Sequence, residues 1–183
     1  MTNLYFVRHA HSVYTPDELT RPLSEQGLND AKKVTEFLKD LSVEYVISSP
    51  YKRAVQTVEG IAAYIGGQLF ILEDFRERLL SGMPVDDFQA AIERVWDDTS
   101  FAWDGGESNA AAQKRGVEAM LQVLSSYPGK NVVIGTHGNL LVLIMNAFDQ
   151  SYGFEFWKQL AMPDIYKLSF EGTKLMEVKR IWS

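Results

Sequence analysis

The chain holds three histidines, His9, His11 and His137. Two of them lie in the run Arg8-His9-Ala10-His11-Ser12, and the third stands in Gly135-Thr136-His137-Gly138-Asn139. A third polar run, Ser48-Ser49-Pro50-Tyr51-Lys52-Arg53, ends on an arginine. Each run directly follows a short apolar stretch of strand type: Leu4–Val7, Val132–Ile134 and Tyr45–Ile47 respectively. Polar groups at such places are not needed for a core. Two guanidiniums, two imidazoles and helix N-termini gathered on one rim describe a site for a phosphoryl group. The same set suits transfer of that group. A neutral imidazole nitrogen is a competent nucleophile near pH 7. Fixed cations aimed at the equatorial oxygens supply most of the catalysis of phosphoryl transfer. The leaving alkoxide then needs a proton, and a nearby carboxyl group is the usual source.

The elements that must position these runs follow from periodicity. Leu28, Ala31, Thr35, Leu38 and Leu41 recur at helical spacing behind the start signals Pro22 and Ser24. Val55, Val58, Ala62 and Ile65 mark a second helix that stops at Gly66-Gly67. Leu69–Leu72 reads as a strand and Val85–Trp96 as a helix. Ser108 is placed to cap a long helix with Val117, Met120, Leu121 and Leu124 on its buried face, stopped by Tyr127-Pro128-Gly129. Leu140–Phe148 is apolar nearly all round, as a buried helix would be. Tyr166–Phe170 and Leu175–Val178 flank Glu171-Gly172-Thr173 as a hairpin. Alternating strands and helices predict an α/β fold with a mainly parallel, covered sheet, whose ligands sit beyond the carboxyl ends of the strands.

Length and composition agree. A chain of 183 residues with 46% hydrophobic and 23% charged residues is expected to form one globular domain, 1–183. Eighteen Lys+Arg against 24 Asp+Glu gives −6, a poor balance for nonspecific nucleic-acid or anionic-membrane binding. With no cysteine, disulfides, thiolate catalysis and thiolate-bound clusters are excluded. No apolar run reaches the ~20 residues of a membrane span. The N-terminal residues lack the pattern of a signal peptide, so a soluble, cytoplasmic protein is the expectation.

Five segments in order carry a family resemblance. Val7-Arg8-His9-Ala10-His11-Ser12 resembles the Arg-His-Gly signature of the histidine phosphatase superfamily, the phosphoglycerate-mutase-like proteins. Arg21-Pro22-Leu23-Ser24-Glu25-Gln26-Gly27 resembles its entry to the first helix. Ser48-Ser49-Pro50, Arg53 and Thr57 resemble its Ser-Ser-x-x-x-Arg-x-x-x-Thr segment, and Phe75-Arg76-Glu77-Arg78 the segment holding the acidic proton donor. Gly106-Glu107-Ser108 and Thr136-His137-Gly138 resemble the later motifs, so the likeness spans nearly the whole chain. It implies a three-layer αβα sandwich whose mostly parallel central sheet has one antiparallel edge strand. It also implies that His9 becomes phosphohistidine, that Arg8, Arg53 and His137 hold the phosphoryl group, and that Glu77 protonates the leaving oxygen, with Glu73 as its rival. Ser12, Thr15 and Gly138 are the further expected substrate contacts. Thr15 stands where many members carry asparagine, and Ala10 where they carry glycine. His11 is read as a rim residue, and Glu107-Ser108 as a cap and loop anchor.

The implied activity is a metal-independent phosphomonoesterase, without cofactor, acting on a small soluble phosphate ester. The segment 82–104, lying between two site motifs, is the expected substrate-selecting insertion. Three other readings compete. A phosphoglycerate-mutase-type transferase would return the phosphoryl group to a second hydroxyl. A metal hydrolase would use His9 and His11 as ligands, against the repulsion of two nearby arginines. A non-catalytic module would bind a phosphate and never turn it over. No oligomeric state follows from the sequence.

Overall fold

In chain order the elements are β1 (Thr2–Arg8), α1 (Glu25–Leu38), β2 (Tyr45–Ser48), α2 (Lys52–Tyr64), β3 (Leu69–Ile71), α3 (Phe88–Asp97), α4 (Asn109–Ser126), β4 (Asn131–Thr136), α5 (Gly138–Asn146), α6 (Phe154–Lys158), β5 (Asp164–Glu171) and β6 (Lys174–Arg180). They come from a computed structural model that describes Met1–Ser183. Alternation along β1 divides the core in two. Leu4 and Phe6 join a cluster with Val132, Ile134, Met120, Val123, Leu140 and Ile144. Tyr5 and Val7 join another with Val46, Val133, Val34, Leu38, Val58 and Ile61. A sheet that is apolar on both faces needs helices on both, and α1 with α2 cover one side while α4 with α5 cover the other. The result is the expected three-layer αβα sandwich.

The six-stranded sheet runs β3-β2-β4-β1-β5-β6. β3, β2, β4 and β1 are mutually parallel, whereas β5 pairs antiparallel with both β1 and β6. The opposed strand is therefore next to the edge and not at it, a correction to the implied order. The tight β5–β6 turn explains it, because Gly172 adopts φ +59 there and folds the last strand back along β5. Register then brings the polar runs together: Arg8 pairs with Thr136, and Ser48 with Gly135. The residues that follow, His9, His137 and Ser49, leave the sheet side by side.

Some helix faces differ from the periodic reading. α1 buries Gly27, Ala31, Val34 and Leu38, while Leu28 is exposed. Gly27 lies directly against the His11 carbonyl, with no room for a Cβ, and that approach turns the helix by one position. On α4 the buried set is Ala112, Gly116, Ala119, Met120, Val123 and Leu124, and Leu121 faces out. α3 begins at Phe88 and not at Val85, because the Asp87 side chain accepts from the Ala90 N–H and caps it there. The five-residue α6 was not read from the sequence at all. No helix is long and apolar enough to cross a membrane.

Candidate active site

His9 lies just past β1, with its backbone N–H donating to the Thr136 carbonyl at 3.1 Å. The next residue is pinned from α2: the Ala10 N–H donates to Thr57 Oγ1 at 3.1 Å, and that hydroxyl donates to the Arg53 carbonyl. Ala10 keeps a negative φ, so its methyl costs the loop nothing. The His9 ring places Nδ1 2.7 Å from the Ala10 carbonyl. A carbonyl can only accept, so Nδ1 carries the hydrogen and Nε2 is left with its lone pair. The ring is only 8% exposed. Burial, then the charges of Arg53 and Arg8, push its pKa down to about 3.

His137 is fully buried, 5.2 Å from the His9 ring centroid to centroid. Its Nε2 lies 2.8 Å from Ser49 Oγ, while Nδ1 has no partner. Ser49 Oγ also accepts from the Tyr51 N–H, which ties the His137 ring to the start of α2. Burial foremost, with the charges of His9 and Arg53, holds this imidazole well below its ordinary pKa.

These two rings make folding sensitive to acid. An unfolded histidine titrates near ~6.5, so below that pH the unfolded chain binds protons that the folded chain refuses. Stability falls as pH drops from about 6.5 towards 3. The thermal midpoint is expected to decline between about pH 7 and pH 4.5, and the decline to be shallower in His9→Ala. Equal slopes for the two proteins, followed by calorimetry, would contradict the assignment.

Arg8 donates from one outer nitrogen to the Ala161 carbonyl at 3.1 Å, and its buried Nε is unpaired. Burial lowers its pKa, opposed by the charges of Glu77 and Asp164. Asp164, fully buried at the start of β5, accepts from the Ala161 and Ile165 N–H groups and from Arg180. It thereby fixes the turn that receives Arg8. Gly138 sits behind that guanidinium: a Cβ there would come within 2.9 Å of Arg8 Nε. Its role in the structure is to make room for Arg8, and it does not line the cavity.

Arg53, 3% exposed, donates to the Glu18 carbonyl at 2.9 Å and to the Glu18 carboxylate at 2.8 Å. The other Glu18 oxygen accepts from Arg21 at 2.6 Å. One carboxylate thus bridges two arginines at the rim. Glu77 accepts from the backbone N–H groups of Arg78, Asn139 and Leu140, and from the Asn139 side chain. Two of those N–H groups belong to the first turn of α5, whose positive dipole end favours an anion. The segment carrying Glu77 is anchored by Arg115, which donates to the Asp74 and Arg76 carbonyls and pairs bidentately with Glu107. Ser108 caps α4.

These groups open on a cavity of about 580 Å³. Arg8, His9, Ser12, Arg53 and Glu77 line it. His137 stands just behind His9. Glu73 is exposed and outside the cavity, so between the two rival carboxylates only Glu77 faces it. Thr15 does not line it either, since its hydroxyl donates to the Asp17 carbonyl within its own loop. His11 is exposed and bonds Ser24, the cap of α1. Met83, Pro84, Val85, Phe88 and Ile92 bring the 82–104 segment into the wall, whereas Trp96, Phe101 and Trp103 pack outside it. Sequence reasoning missed Glu18, Asp164 and the coupling of Ser49 to His137. Their partners lie far away in the chain, and no local spacing announces them.

Comparison with known proteins adds the family. The family model for the histidine phosphatase superfamily (branch 1) matches residues 4–180. "Uncharacterized phosphatase PhoE" of Bacillus subtilis (strain 168) is 28% identical over 146 residues, covering 75% of this chain and 72% of that protein. The mycobacterial glucosyl-3-phosphoglycerate phosphatase superposes with a TM-score of 0.78 at 20% identity, covering 97% of this chain and 96% of its own. Phosphoserine phosphatase from Entamoeba histolytica, solved with 3-phosphoglyceric acid, superposes with a TM-score of 0.79 at 18% identity, covering 100% and 98%. The chain belongs to the histidine phosphatase superfamily and is a phosphatase.

Proposed function

From that membership, we propose that this phosphatase hydrolyses phosphate monoesters through a phosphohistidine on His9 Nε2. The observation that carries the reading is the His9 tautomer. Its Nδ1–H is spent on Ala10, so the lone pair is on Nε2 of a ring that lines the cavity with Arg8 and Arg53. Nε2 attacks phosphorus as the P–O bond to the alcohol breaks. Arg8, Arg53 and His137 stabilise the equatorial oxygens. Glu77 gives a carboxyl proton to the leaving oxygen and is left as a carboxylate facing the Arg78, Asn139 and Leu140 N–H groups. Water then attacks phosphorus and passes a proton to Glu77, the P–N bond breaks, and phosphate departs. No metal enters this scheme.

The test is phosphate release from para-nitrophenyl phosphate with excess chelator, together with trapping of labelled enzyme. Chelator-resistant turnover with an acid-labile, alkali-stable phosphoenzyme is the expected result. Loss of activity with chelator, or turnover without a trapped phosphoenzyme, would overturn the mechanism. Transfer of phosphate to an added alcohol instead of water would assign a mutase.

Glu18 has a consequence for inhibition. A phosphoryl oxygen and the Glu18 carboxylate compete for Arg53, so bound phosphate must displace or share that contact. Glu18→Gln is expected to tighten inhibition by inorganic phosphate about three- to tenfold, read as a competitive inhibition constant. Weaker inhibition would make Glu18 a positioning residue for Arg53 and not its competitor.

A further inference from the structure

We propose that the cavity takes a monoester whose alcohol carries an extended apolar body, held against the apolar residues of the 79–92 wall. The inference rests on the reading of the polar floor as the phosphoryl site, and it names the substrate class for that site. The cavity lining is of two kinds. Arg8, His9, Arg53 and Glu77 belong to its polar part. Leu79, Met83, Val85, Phe88, Ile92 and Met162 make up most of its apolar part. Several of these are unusually open for apolar side chains: Met83 is 71% exposed and Phe88 61%. Large apolar groups clustered on the wall of a concave site, and not scattered singly, mark a surface that binds something apolar.

The remaining charges of the lining argue the same way. Arg21 is already spent on Glu18 and on the Thr15 carbonyl. Glu18 is spent in turn on Arg21 and Arg53, so no free carboxylate awaits a substrate ammonium group. Arg78 is the cation left to weigh. It is 4% exposed, donates to Asn109 Oδ1, lies beside Glu77 and keeps a buried Nε with no partner. It could receive a substrate carboxylate close to the phosphate, which makes a short carboxylated ester the competing occupant. A volume of about 580 Å³ exceeds what such a small ester fills and lies in the range of sites for larger organic ligands.

Alkylphosphonates separate this inference from catalysis, because they bind without being hydrolysed. Calorimetric titration with methyl-, butyl-, hexyl- and octylphosphonate should show affinity rising about two- to fourfold per methylene along the series, the upper figure being full burial. In the double variant Met83→Ser, Phe88→Ser that gradient should flatten, and both positions are exposed enough for the fold to tolerate it. Constant affinity along the series, or a short phosphonate bearing a carboxylate binding more tightly than octylphosphonate, would overturn the apolar assignment. Rising affinity in a protein that releases no phosphate from any ester would leave the apolar subsite standing and sink the phosphatase mechanism instead.

Discussion

His9→Ala is expected to lower phosphate release by at least about ten-thousand-fold and to abolish the trapped phosphoenzyme. The reason lies in the division of labour at the site. Arg8 and Arg53 still line the cavity when the nucleophile is gone, so binding should survive where turnover does not. Isothermal titration with inorganic phosphate, beside a phosphate-release assay, separates the two quantities. Residual activity above about a hundredth of the wild type would mean that water attacks the ester directly and that His9 only orients it. The pH profile offers an independent check. Because burial and neighbouring cations push the His9 pKa down to about 3, its titration should place no acid limb near 6.5 on the wild-type kcat/KM.

Glu77→Gln is the second large effect, and its size should depend on the leaving group. For alkyl esters, whose alkoxides leave poorly without a proton, a loss of about a hundred- to a thousandfold in kcat is expected. For para-nitrophenyl phosphate, whose phenolate leaves unaided, the loss should be far smaller. A merely structural role would depress both substrates alike, so the ratio of the two losses is the readout. Some structural loss is expected as well. The carboxylate accepts from the Arg78, Asn139 and Leu140 N–H groups, and a glutamine must turn an NH2 group towards at least one of them. A modest fall in thermal midpoint should accompany the kinetic effect, and it would not by itself produce a dependence on the leaving group.

The arrangement places the charge of this site at three strand ends that register alone brings together. Arg8 faces Thr136 and Ser48 faces Gly135 across the ladder, so one polar residue further along each strand puts His9, His137 and Ser49 in contact range. Such a frame needs no long loops to hold its reacting groups. The loop that does cross the rim, carrying Glu18 and Arg21, contributes a carboxylate that neutralises Arg53 before substrate arrives. Neutralisation of this kind lowers the cost of burying an arginine that is 3% exposed.

What could be read from the chain alone was local chemistry and local periodicity. Arg8-His9 after an apolar run, Arg53 in the first turn of a helix and His137 before an apolar helix are each legible because the strand and its next few residues lie together in sequence. The layered α/β fold was legible for the same reason, since strand and helix periods differ. Helix faces were less so. Leu28 and Leu121 fit the spacing yet face solvent, because close packing at Gly27, and at Gly116 against Leu140 and Ile144, decides how far each helix turns. The antiparallel strand next to the edge, the place of Glu77 and not Glu73 on the cavity lining, the Nδ1–H tautomer of His9 and the Glu18 bridge were decided only in three dimensions. Most of these depend on which hydrogen-bond acceptor or packing partner meets a side chain across tens of residues of sequence: Glu77 meets Asn139 and Leu140, Glu18 meets Arg53, and Ser49 meets His137. A strand's own sequence specifies that it pairs and which face it buries. Its partners, and therefore the protonation and orientation of the groups at its end, are set by the packed whole.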